Sequence, residues 1–414
     1  MSQYLLGGKC TQCGHEFSSD VLPSFCPHCD TAHKKAGLMT VYDYDRLREV
    51  VLRRKSLSTR GPGLWKFKDL LPLREERFML SLGEGNTPVV ESNYIDKYAH
   101  GTKIALKLEY MNPSLSYKDR HCCVSVAKAV ELGRRLIAVS STSNHGVAAA
   151  AYAARAHIPC IVLTSTQIPP SVQAQLEFYP ASVYLTDTME ERWEIISDGV
   201  RHHDWWAIGN LASPPAGVEV YGIDGYKTIS FEAYEQLTSP PDYVACPVSF
   251  GDGLFGIWKG FYELKKIGLI DKVPRMIAVE CSYGGALTHA IANSLDFVME
   301  VPAGPPSIAF TISVTNSTYR TLRCIQDSGG TAVKVTDTEI IESQQELAHE
   351  GLYVEPTSAA GLAGVKKLRE IGYLPEEARV MVVLTSAGVK HQEHVMKALK
   401  SLPKVKTLSD IGNQ

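Results

Sequence analysis

Four cysteines near the N-terminus have the spacing of a metal site. Cys10 and Cys13 form one CxxC pair, and Cys26 and Cys29 form a second pair after twelve intervening residues. Two such pairs can face each other and present four thiolates tetrahedrally, which suits a structural zinc ion, although iron accepts the same ligands. Because four protein ligands leave no open coordination position, we expect the metal to serve folding or docking and not catalysis.

A lysine at the expected start of a helix is a candidate nucleophile. Lys118 follows a strand-like run, residues 103–109, and a polar loop, residues 110–117. The helix N-terminus and partial desolvation both disfavour the ammonium form, and the neutral amine is the form that attacks a carbonyl carbon. Most lysines on helices are simply solvated, so this segment indicates catalysis only in combination with other loops.

Two further loops join an expected strand to an expected helix and could bind anions. Residues 141–146 (STSNHG) precede a helix of small residues, 147–155, and their hydroxyl, amide and N–H groups suit an α-carboxylate. Residues 249–256 (SFGDGLFG) contain three glycines, which let backbone N–H groups approach a phosphate at the start of the helix 257–266. An ordinary capped helix and an ordinary glycine turn are the alternatives. The second loop is not a G-x-x-x-x-G-K-[ST] motif, so nucleoside triphosphate binding has little support.

A hydroxyl group follows the last expected strand. Thr385 comes directly after residues 380–384 (VMVVL). A neutral hydroxyl could hydrogen-bond a pyridine nitrogen without protonating it, unlike a carboxylate. A plain turn is the alternative for this residue.

The elements that must position these loops are short β-branched runs that alternate with longer helical patterns. Such alternation indicates right-handed crossovers, parallel sheets covered on both faces and therefore an α/β fold. In open α/β sheets ligands collect at the carboxyl ends of the strands, which is where the loops described above lie. The expected strands are residues 103–109, 136–141, 160–164, 183–185, 243–248, 276–280, 332–335 and 380–384.

The composition is that of a folded protein with a small-molecule partner. The chain has 414 residues, which indicates two or three domains, with 44% hydrophobic and 21% charged residues. A net charge of −3 and the absence of a basic run longer than residues 53–55 give no reason to expect nucleic acid. We find no signal-peptide or membrane-spanning pattern. The other six cysteines are scattered, so we expect reduced thiols and a cytoplasmic location.

The motifs, taken together and in this order, resemble those of the fold-type II pyridoxal-5′-phosphate (PLP) enzymes, and most closely the threonine synthase family. The paired CxxC motifs followed by residues 41–45 (VYDYD) resemble the N-terminus of its archaeal-type members. The resemblance covers nearly the whole chain. Its other motifs are residues 81–88 (SLGEGNTP, identical to the family signature), 112–120 (NPSLSYKDR for NPTGSFKDR), 225–228 (GYKT for GQKT), 355–360 (EPTSAA for EPASAA) and 385–390 (TSAGVK for TGHGLK).

The resemblance implies a domain organisation. Two parallel-sheet domains of the tryptophan synthase β-like kind would follow a small zinc ribbon, residues 1–38. The large PLP-binding domain would comprise residues 39–110 and 225–414, and the smaller substrate domain residues 111–224. The resemblance also implies a homodimer.

The resemblance further implies roles for individual residues. Lys118 would hold PLP as a Schiff base and carry the substrate proton, Asn144 would hydrogen-bond the 3′-oxygen of PLP, and Thr385 would pair with its ring nitrogen. The phosphate of PLP would accept N–H groups from Gly251, Asp252, Gly253 and Leu254. The substrate carboxylate would be held by Ser141, Thr142, Ser143 and His145.

The implied activity is that of a lyase or synthase of amino-acid metabolism. It would abstract the Cα proton of an amino acid and eliminate or replace a substituent on Cβ or Cγ, as threonine synthase does. Two departures favour an alternative, an ammonia-lyase or β-replacement enzyme for a hydroxy or diamino acid: Gly222 stands where the family carries a phosphate-binding Arg, and His145 resembles the SGNHG loop of serine and threonine dehydratases. A third hypothesis is a non-enzymatic zinc-ribbon docking protein, against which the intact Lys118 argues.

Overall fold

The computed structural model of the chain describes residues 4–18, 21–31, 34–92 and 101–397, together with Ile95, Leu399 and Lys404. Within these residues, no helix has both the length and the apolar character that a membrane span requires. The strands are β1 (Leu5–Cys10), β2 (Glu16–Phe17), β3 (Leu38–Tyr42), β4 (Val89–Glu91), β5 (Lys103–Lys107), β6 (Ile137–Ser140), β7 (Cys160–Thr164), β8 (Ala181–Leu185), β9 (Trp206–Ala207), β10 (Tyr243–Pro247), β11 (Arg275–Cys281), β12 (Thr331–Val335) and β13 (Arg379–Val383). The helices are α1 (Tyr44–Arg54), α2 (Lys118–Glu131), α3 (Asn144–Arg155), α4 (Pro170–Phe178), α5 (Met189–His202), α6 (Val220–Gln236), α7 (Asp252–Lys266), α8 (Ala286–Ala292), α9 (Tyr319–Ser328), α10 (Asp337–His349), α11 (Pro356–Glu370) and α12 (Glu393–Lys397).

The predicted α/β class is confirmed, because two parallel sheets form the body of the protein. The larger sheet has the strand order β12-β11-β10-β13-β5-β4, and only β4 runs antiparallel to its neighbour. The smaller sheet has the order β8-β7-β6-β9 and is parallel throughout. Each predicted strand is present with its ends within two residues of the prediction. The short strands β4 and β9 were not predicted, because two or three residues carry no readable periodicity.

Three helices begin at the residues that the motifs occupy. Helix α2 begins at Lys118, as predicted, whereas α3 and α7 begin at Asn144 and Asp252, earlier than the predicted 147 and 257. The polar and glycine-rich residues of these two loops therefore form first helical turns, whose N–H groups have no acceptor inside the helix. Alanines make α3 narrow enough to be buried almost along its whole length.

A small antiparallel sheet, in the order β2-β1-β3, carries the CxxC pairs. Strand β3 lies across the predicted boundary at residue 38 and pairs with β1 from Leu38 to Tyr42. The two parallel sheets draw their strands from the segments assigned to the large and the small domain, while the domain boundaries themselves remain a prediction. Residues 1–3 and 405–414, at the ends of the predicted ribbon and large domain, lie outside the described residues.

A buried group of charges joins α2 to the large sheet and to α6. Arg120 donates from Nε to Oε2 of Glu109 at 2.7 Å and from Nη2 to Oε2 of Glu232 at 2.7 Å. Lys107, on β5, donates to the same carboxylate oxygen of Glu232 at 2.8 Å. All four side chains are fully buried. Although burial opposes ionisation, Arg120 and Lys107 lower the pKa of Glu232 to about 2.

A second buried group of charges attaches β3 to α6 and α7. Lys259 contacts Asp224 Oδ1 at 2.8 Å and Glu263 Oε1 at 2.6 Å, and Lys227 contacts Glu263 Oε2 at 3.0 Å. The hydroxyl of Tyr42 donates to Asp224 at 2.5 Å. The sheet that carries the cysteines is thereby hydrogen-bonded to the helix pair behind the larger sheet.

We expect Arg120→Met to destabilise the protein strongly. Loss of the Arg120 guanidinium leaves Glu109 and Glu232 as buried carboxylates without their main counter-ion. Breaking a buried ion pair in this way costs about 3–5 kcal/mol. Urea denaturation of the variant measures the change in the free energy of unfolding.

Arg323→Met is the matched control for this prediction. Arg323 pairs with Asp327 on the exposed face of α9, and an exposed pair contributes less than about 1 kcal/mol. Equal losses in the two variants would show that the buried network does not hold the fold.

Candidate active site

A cavity of about 440 Å³ lies where loops following β5, β6, β10 and β13 meet. The larger and the smaller parallel sheet both contribute to its walls. The predicted cofactor and substrate residues all line it, namely Lys118, Ser141, Thr142, Ser143, Asn144, His145, Gly251, Asp252, Gly253, Leu254 and Thr385. The structure therefore brings together four loops that are far apart in the sequence, while the role of each residue remains a prediction.

Lys118 presents its amine to this cavity from the first turn of α2. Its Nζ lies 4.7 Å from the ring centroid of Tyr117 and 5.6 Å from that of Tyr226. Burial lowers the pKa of Lys118, and the nearby carboxylates of Asp252 and Glu355 oppose the shift without cancelling it. The amine thus reaches its neutral, nucleophilic form at a lower pH than a solvated lysine does.

The N-terminus of α7 forms one wall of the cavity. Gly251 precedes the helix with φ of +85°, and a Cβ at this position would lie 2.2 Å from the Thr321 Cγ2, so glycine is required there. The N–H groups of Gly251 and of the first three helical residues have no acceptor inside the helix. Arg320 donates from Nε to Asp252 Oδ1 at 3.1 Å and neutralises this acid at the helix start. An anion such as a phosphate would meet N–H donors without repulsion from Asp252.

The N-terminus of α3 forms a second wall. The Ser141 hydroxyl accepts the N–H of Gly146 at 2.9 Å and donates to the Ser143 carbonyl at 3.2 Å, so it holds the loop in shape. Asn144 donates from Nδ2 to Glu355 at 3.3 Å, and its buried Oδ1 has no partner among the described residues. An oxygen without a partner in a buried site indicates a ligand or water that supplies the missing donor.

Hydroxyl groups lie at the carboxyl end of β13. Thr385 Oγ1 lies 3.0 Å from Ser358 Oγ, and either hydroxyl can donate. The Thr385 carbonyl accepts the N–H of Tyr117 at 2.9 Å, which connects β13 to the residue before Lys118. Thr385 is almost fully buried yet lines the cavity, as a residue that contacts a ligand should.

Two histidines pack beside the lysine. The rings of His121 and His145 lie 5.0 Å apart and nearly perpendicular. Burial, reinforced by the positive charge of Lys118, lowers the pKa of His145 to about 3, and burial also lowers the pKa of His121. Gly222 leaves the space that His121 occupies, because a Cβ there would lie 2.6 Å from the His121 Nε2. Both imidazoles are therefore neutral near pH 7.

Glu355, His391 and Arg192 lie at the site or next to it, and the sequence had assigned no role to them. Glu355 joins Asn144 to His391, whose Nδ1 lies 3.5 Å from the Glu355 carboxylate. Arg192, on α5, also lines the cavity. The motif at residues 355–360 could have drawn attention to Glu355, whereas Arg192 lies in a charged helical sequence, EERWE, that reads as a solvated face.

The four N-terminal cysteines form a separate cluster away from the cavity. Their sulfur atoms all lie within 4.8 Å of one another, with Cys10 to Cys29 and Cys13 to Cys26 each at 3.8 Å. Four thiolates about 2.3 Å from a tetrahedral zinc ion are separated by about 3.8 Å, so the geometry suits the metal. The N–H of Gln12 points at the sulfur of Cys10 at 3.3 Å, as in a metal-binding knuckle.

Comparison with known proteins gives consistent results. The pyridoxal-phosphate dependent enzyme family matches residues 80–386. Threonine synthase from Methanocaldococcus jannaschii is 31% identical over 397 residues, 94% of each chain, and that from Methanosarcina acetivorans is 32% identical over 395 residues, 94% of this chain and 93% of its own.

Among solved structures, maize serine racemase is 21% identical with a TM-score of 0.64, covering 75% of this chain and 91% of its own. Threonine deaminase isoform 2 from Solanum lycopersicum is 16% identical with a TM-score of 0.64, covering 83% of this chain and 91% of its own. At these identities the two structures show a shared fold.

We expect His145 to make the protein less stable in acid. Its pKa is about 3 in the folded chain and 6.5 when unperturbed, so between these values the unfolded chain binds the extra proton. Its contribution to the free energy of unfolding is fully present above pH 6.5 and falls towards pH 3, by up to about 1.4 kcal/mol per pH unit. Urea denaturation from pH 4 to 7 should show a smaller loss for His145→Asn than for the unchanged protein.

His202→Asn is the control, because His202 is exposed at the end of α5. This variant should keep the acid sensitivity of the unchanged protein. Identical pH dependence in the His145 variant and the unchanged protein would contradict a buried neutral imidazole.

Proposed function

Because the chain belongs to the pyridoxal-phosphate dependent enzyme family, we propose that it is a PLP-dependent lyase or synthase that acts on an amino acid. It would remove the Cα proton and eliminate or replace a substituent on Cβ or Cγ. Threonine synthases that match over 94% of the chain support this reaction class. We propose which residues carry out this reaction and on which class of substrate it acts.

One observation carries the proposal: Lys118 lies in a cavity between two helix N-termini. The amine has a lowered pKa, α7 offers N–H donors on one side, and α3 offers them on another. A PLP enzyme of this type needs a neutral amine, a site for the cofactor phosphate and a site for the substrate carboxylate. The cavity has room for all three.

The residues present suit PLP. The N–H groups of residues 251–254 would hold its phosphate, Asn144 would donate from Nδ2 to the 3′-oxygen, and the Thr385 hydroxyl would pair with the ring nitrogen. The glycine at 253 is needed because a Cβ there would lie 2.6 Å from the ring of Tyr117. When bound, PLP supplies an electron sink that acidifies the Cα–H bond of the attached amino acid.

The chain's own groups bind the substrate and move its proton. The N-terminus of α3, with Thr142 and Ser143, would hold the α-carboxylate and so orient the Cα–H bond. Lys118 Nζ would take the Cα proton, since burial already favours a neutral amine that can accept it. The neutral His145 would contact the substrate without adding a second positive charge beside Lys118.

A second candidate function is an ammonia-lyase for a hydroxy or diamino acid. The ring of His121 fills the space at Gly222, where threonine synthases carry an Arg that binds substrate phosphate, so this part of the site offers no guanidinium. Arginine is the usual bidentate ligand of phosphate, and its loss favours a substrate that is not phosphorylated.

We expect the purified protein to show an absorption band at the edge of the visible spectrum that borohydride abolishes. Lys118→Ala should lack the band and all turnover, because no other described lysine lines the cavity. Lys390→Met is the matched control, since burial lowers the pKa of Lys390 to about 8 although it lies outside the cavity. A borohydride-sensitive band that persists in Lys118→Ala would contradict the assignment.

The same protein distinguishes the two functions. Release of phosphate and threonine from O-phosphohomoserine would identify the threonine synthase reaction. Formation of keto acid and ammonia from serine, threonine, 3-hydroxyaspartate or 2,3-diaminopropionate would identify the ammonia-lyase.

We also propose that the cysteine cluster binds one structural zinc ion. The sulfur separations support it, its sheet packs against Val220 and Tyr221 of α6, and none of the four cysteines lines the cavity. Elemental analysis should find about one zinc per chain. Cys26→Ser should lose the metal, whereas Cys160→Ser, at a buried cysteine outside the cluster, should keep it. Iron in place of zinc, or zinc retained by Cys26→Ser, would contradict the proposal.

We propose a homodimer and a cytoplasmic location for the protein. The dimer rests on the resemblance to fold-type II enzymes, and sedimentation velocity tests it. The location is supported by the cysteines at 122, 123, 160, 246, 281 and 324, which are buried as free thiols, as in a reducing compartment.

A further inference from the structure

Arg192 is a buried cation in the cavity wall without a counter-ion. It lies in the first turns of α5, its side chain is enclosed with 8% of the residue exposed, and it lines the cavity. Its Nε and Nη1 have no hydrogen-bond partner, and no carboxylate within the described parts of the chain forms an ion pair with it. Glu190, the nearest acid to influence it, is exposed at the rim.

The other deeply buried arginines, Arg120 and Arg320, each form ion pairs with acidic side chains, unlike Arg192. Arg120 binds Glu109 and Glu232, and Arg320 binds Asp252 and the Val218 carbonyl. A guanidinium remains protonated at any physiological pH, so burial without an anion is unfavourable. Arg192 thus has the character of a binding group whose partner is a ligand.

The group that Arg192 would bind is neither the cofactor phosphate nor the α-carboxylate of the substrate. The N-terminus of α7 accounts for the cofactor phosphate, and the N-terminus of α3 accounts for the α-carboxylate. An amino acid has one further position for a negative charge, its side chain. Among the described lining residues, Arg192 and Lys118 are the only lysine or arginine side chains, and Lys118 is needed as a base.

We propose that Arg192 binds a carboxylate on the side chain of the substrate, an inference that rests on the proposed function and defines its substrate class as an amino dicarboxylic acid. Among the described residues neither Nε nor Nη2 of Arg192 has a hydrogen-bond partner, and these two groups form the fork that can bind both oxygens of a carboxylate, as Nε and Nη2 of Arg120 bind Glu109. A single guanidinium balances one negative charge, whereas a phosphate ester carries close to two. Glu190 and Glu300 also line the cavity and oppose a dianion.

Two other polar side chains that line the cavity, those of Asn210 and Thr315, are already hydrogen-bonded within the protein. Asn210 donates to the Ala212 carbonyl and accepts the N–H of Ala216. Thr315 donates to Glu300 at 2.8 Å. The substrate side chain would therefore be selected by its charge.

The test compares L-aspartate with L-asparagine, which have nearly the same shape and differ in side-chain charge. Both lack a leaving group, so each should bind the holoenzyme and perturb the cofactor absorption without turnover. Spectral titration should give an affinity for L-aspartate roughly 10- to 100-fold higher than for L-asparagine, the value of a charge-assisted pair of hydrogen bonds. Arg192→Gln should reduce this ratio to near one, and Arg192→Lys should leave an intermediate ratio.

A second variant keeps the test valid if Arg192→Gln folds poorly. Glu190→Gln changes an exposed side chain at the rim, removes a competing negative charge and should raise the preference for L-aspartate a few-fold. Cofactor content and melting temperature are measured for every variant, so that loss of fold is separated from loss of recognition.

Several outcomes would overturn the inference. They are equal affinity for the two ligands in the unchanged protein, no spectral response to L-aspartate, an Arg192→Gln variant that loses L-alanine binding as well, and a variant that loses PLP. Tighter binding of O-phospho-L-serine than of L-aspartate would show that Arg192 selects a phosphate and not a carboxylate, and this also contradicts the inference. A missing borohydride-sensitive band would instead refute the proposed function, so the two failures are distinguishable.

Discussion

The buried ion pairs of Arg120 are the interaction on which the rest of the site depends. Arg120 lies two residues after Lys118, and its guanidinium binds Glu109, which follows β5, and Glu232, which belongs to α6. The first turn of α2 is thereby held against the larger sheet and its covering helix. Because the interior is tightly packed, a lysine anchored in this way has little freedom to leave the cavity. The position of the Lys118 amine thus depends on charged residues that do not line the cavity.

In our proposal the cofactor phosphate and each anionic group of the substrate have separate groups of donors. At α7, Arg320 neutralises Asp252, so the backbone N–H groups face the cavity without a competing acid. Burial and the charge of Lys118 keep His145 neutral near pH 7, so this ring adds no positive charge beside the lysine that we propose as the base. Arg192 differs from Arg320, because its Nε and Nη1 have no hydrogen-bond partner among the described residues. A buried guanidinium without a protein partner is unfavourable by itself, which makes it informative about the ligand.

Gly222 leaves room for a neighbouring histidine at the position where the resemblance to threonine synthases leads us to expect an arginine. The glycine removes a side chain, and the ring of His121 occupies the vacated space next to His145. Neither Gly222 nor His121 is among the residues that line the cavity, whereas Arg192 lines it from α5. Under our proposal the anionic group of the substrate side chain would be bound from the α5 wall, by Arg192.

The sequence alone determined the elements that depend on local order. The spacing of Cys10, Cys13, Cys26 and Cys29 predicted a cluster, and the runs of β-branched residues located eight strands, because periodicity and short spacings are properties of contiguous residues. The loops at the ends of those strands could be expected to meet, since parallel strands place their carboxyl ends at one edge. Only the tertiary structure decided that Arg192 enters the cavity without a partner and that Arg120 joins three elements. These contacts connect residues far apart in the sequence, and the packing of helices against the sheets, which no local pattern encodes, decides them.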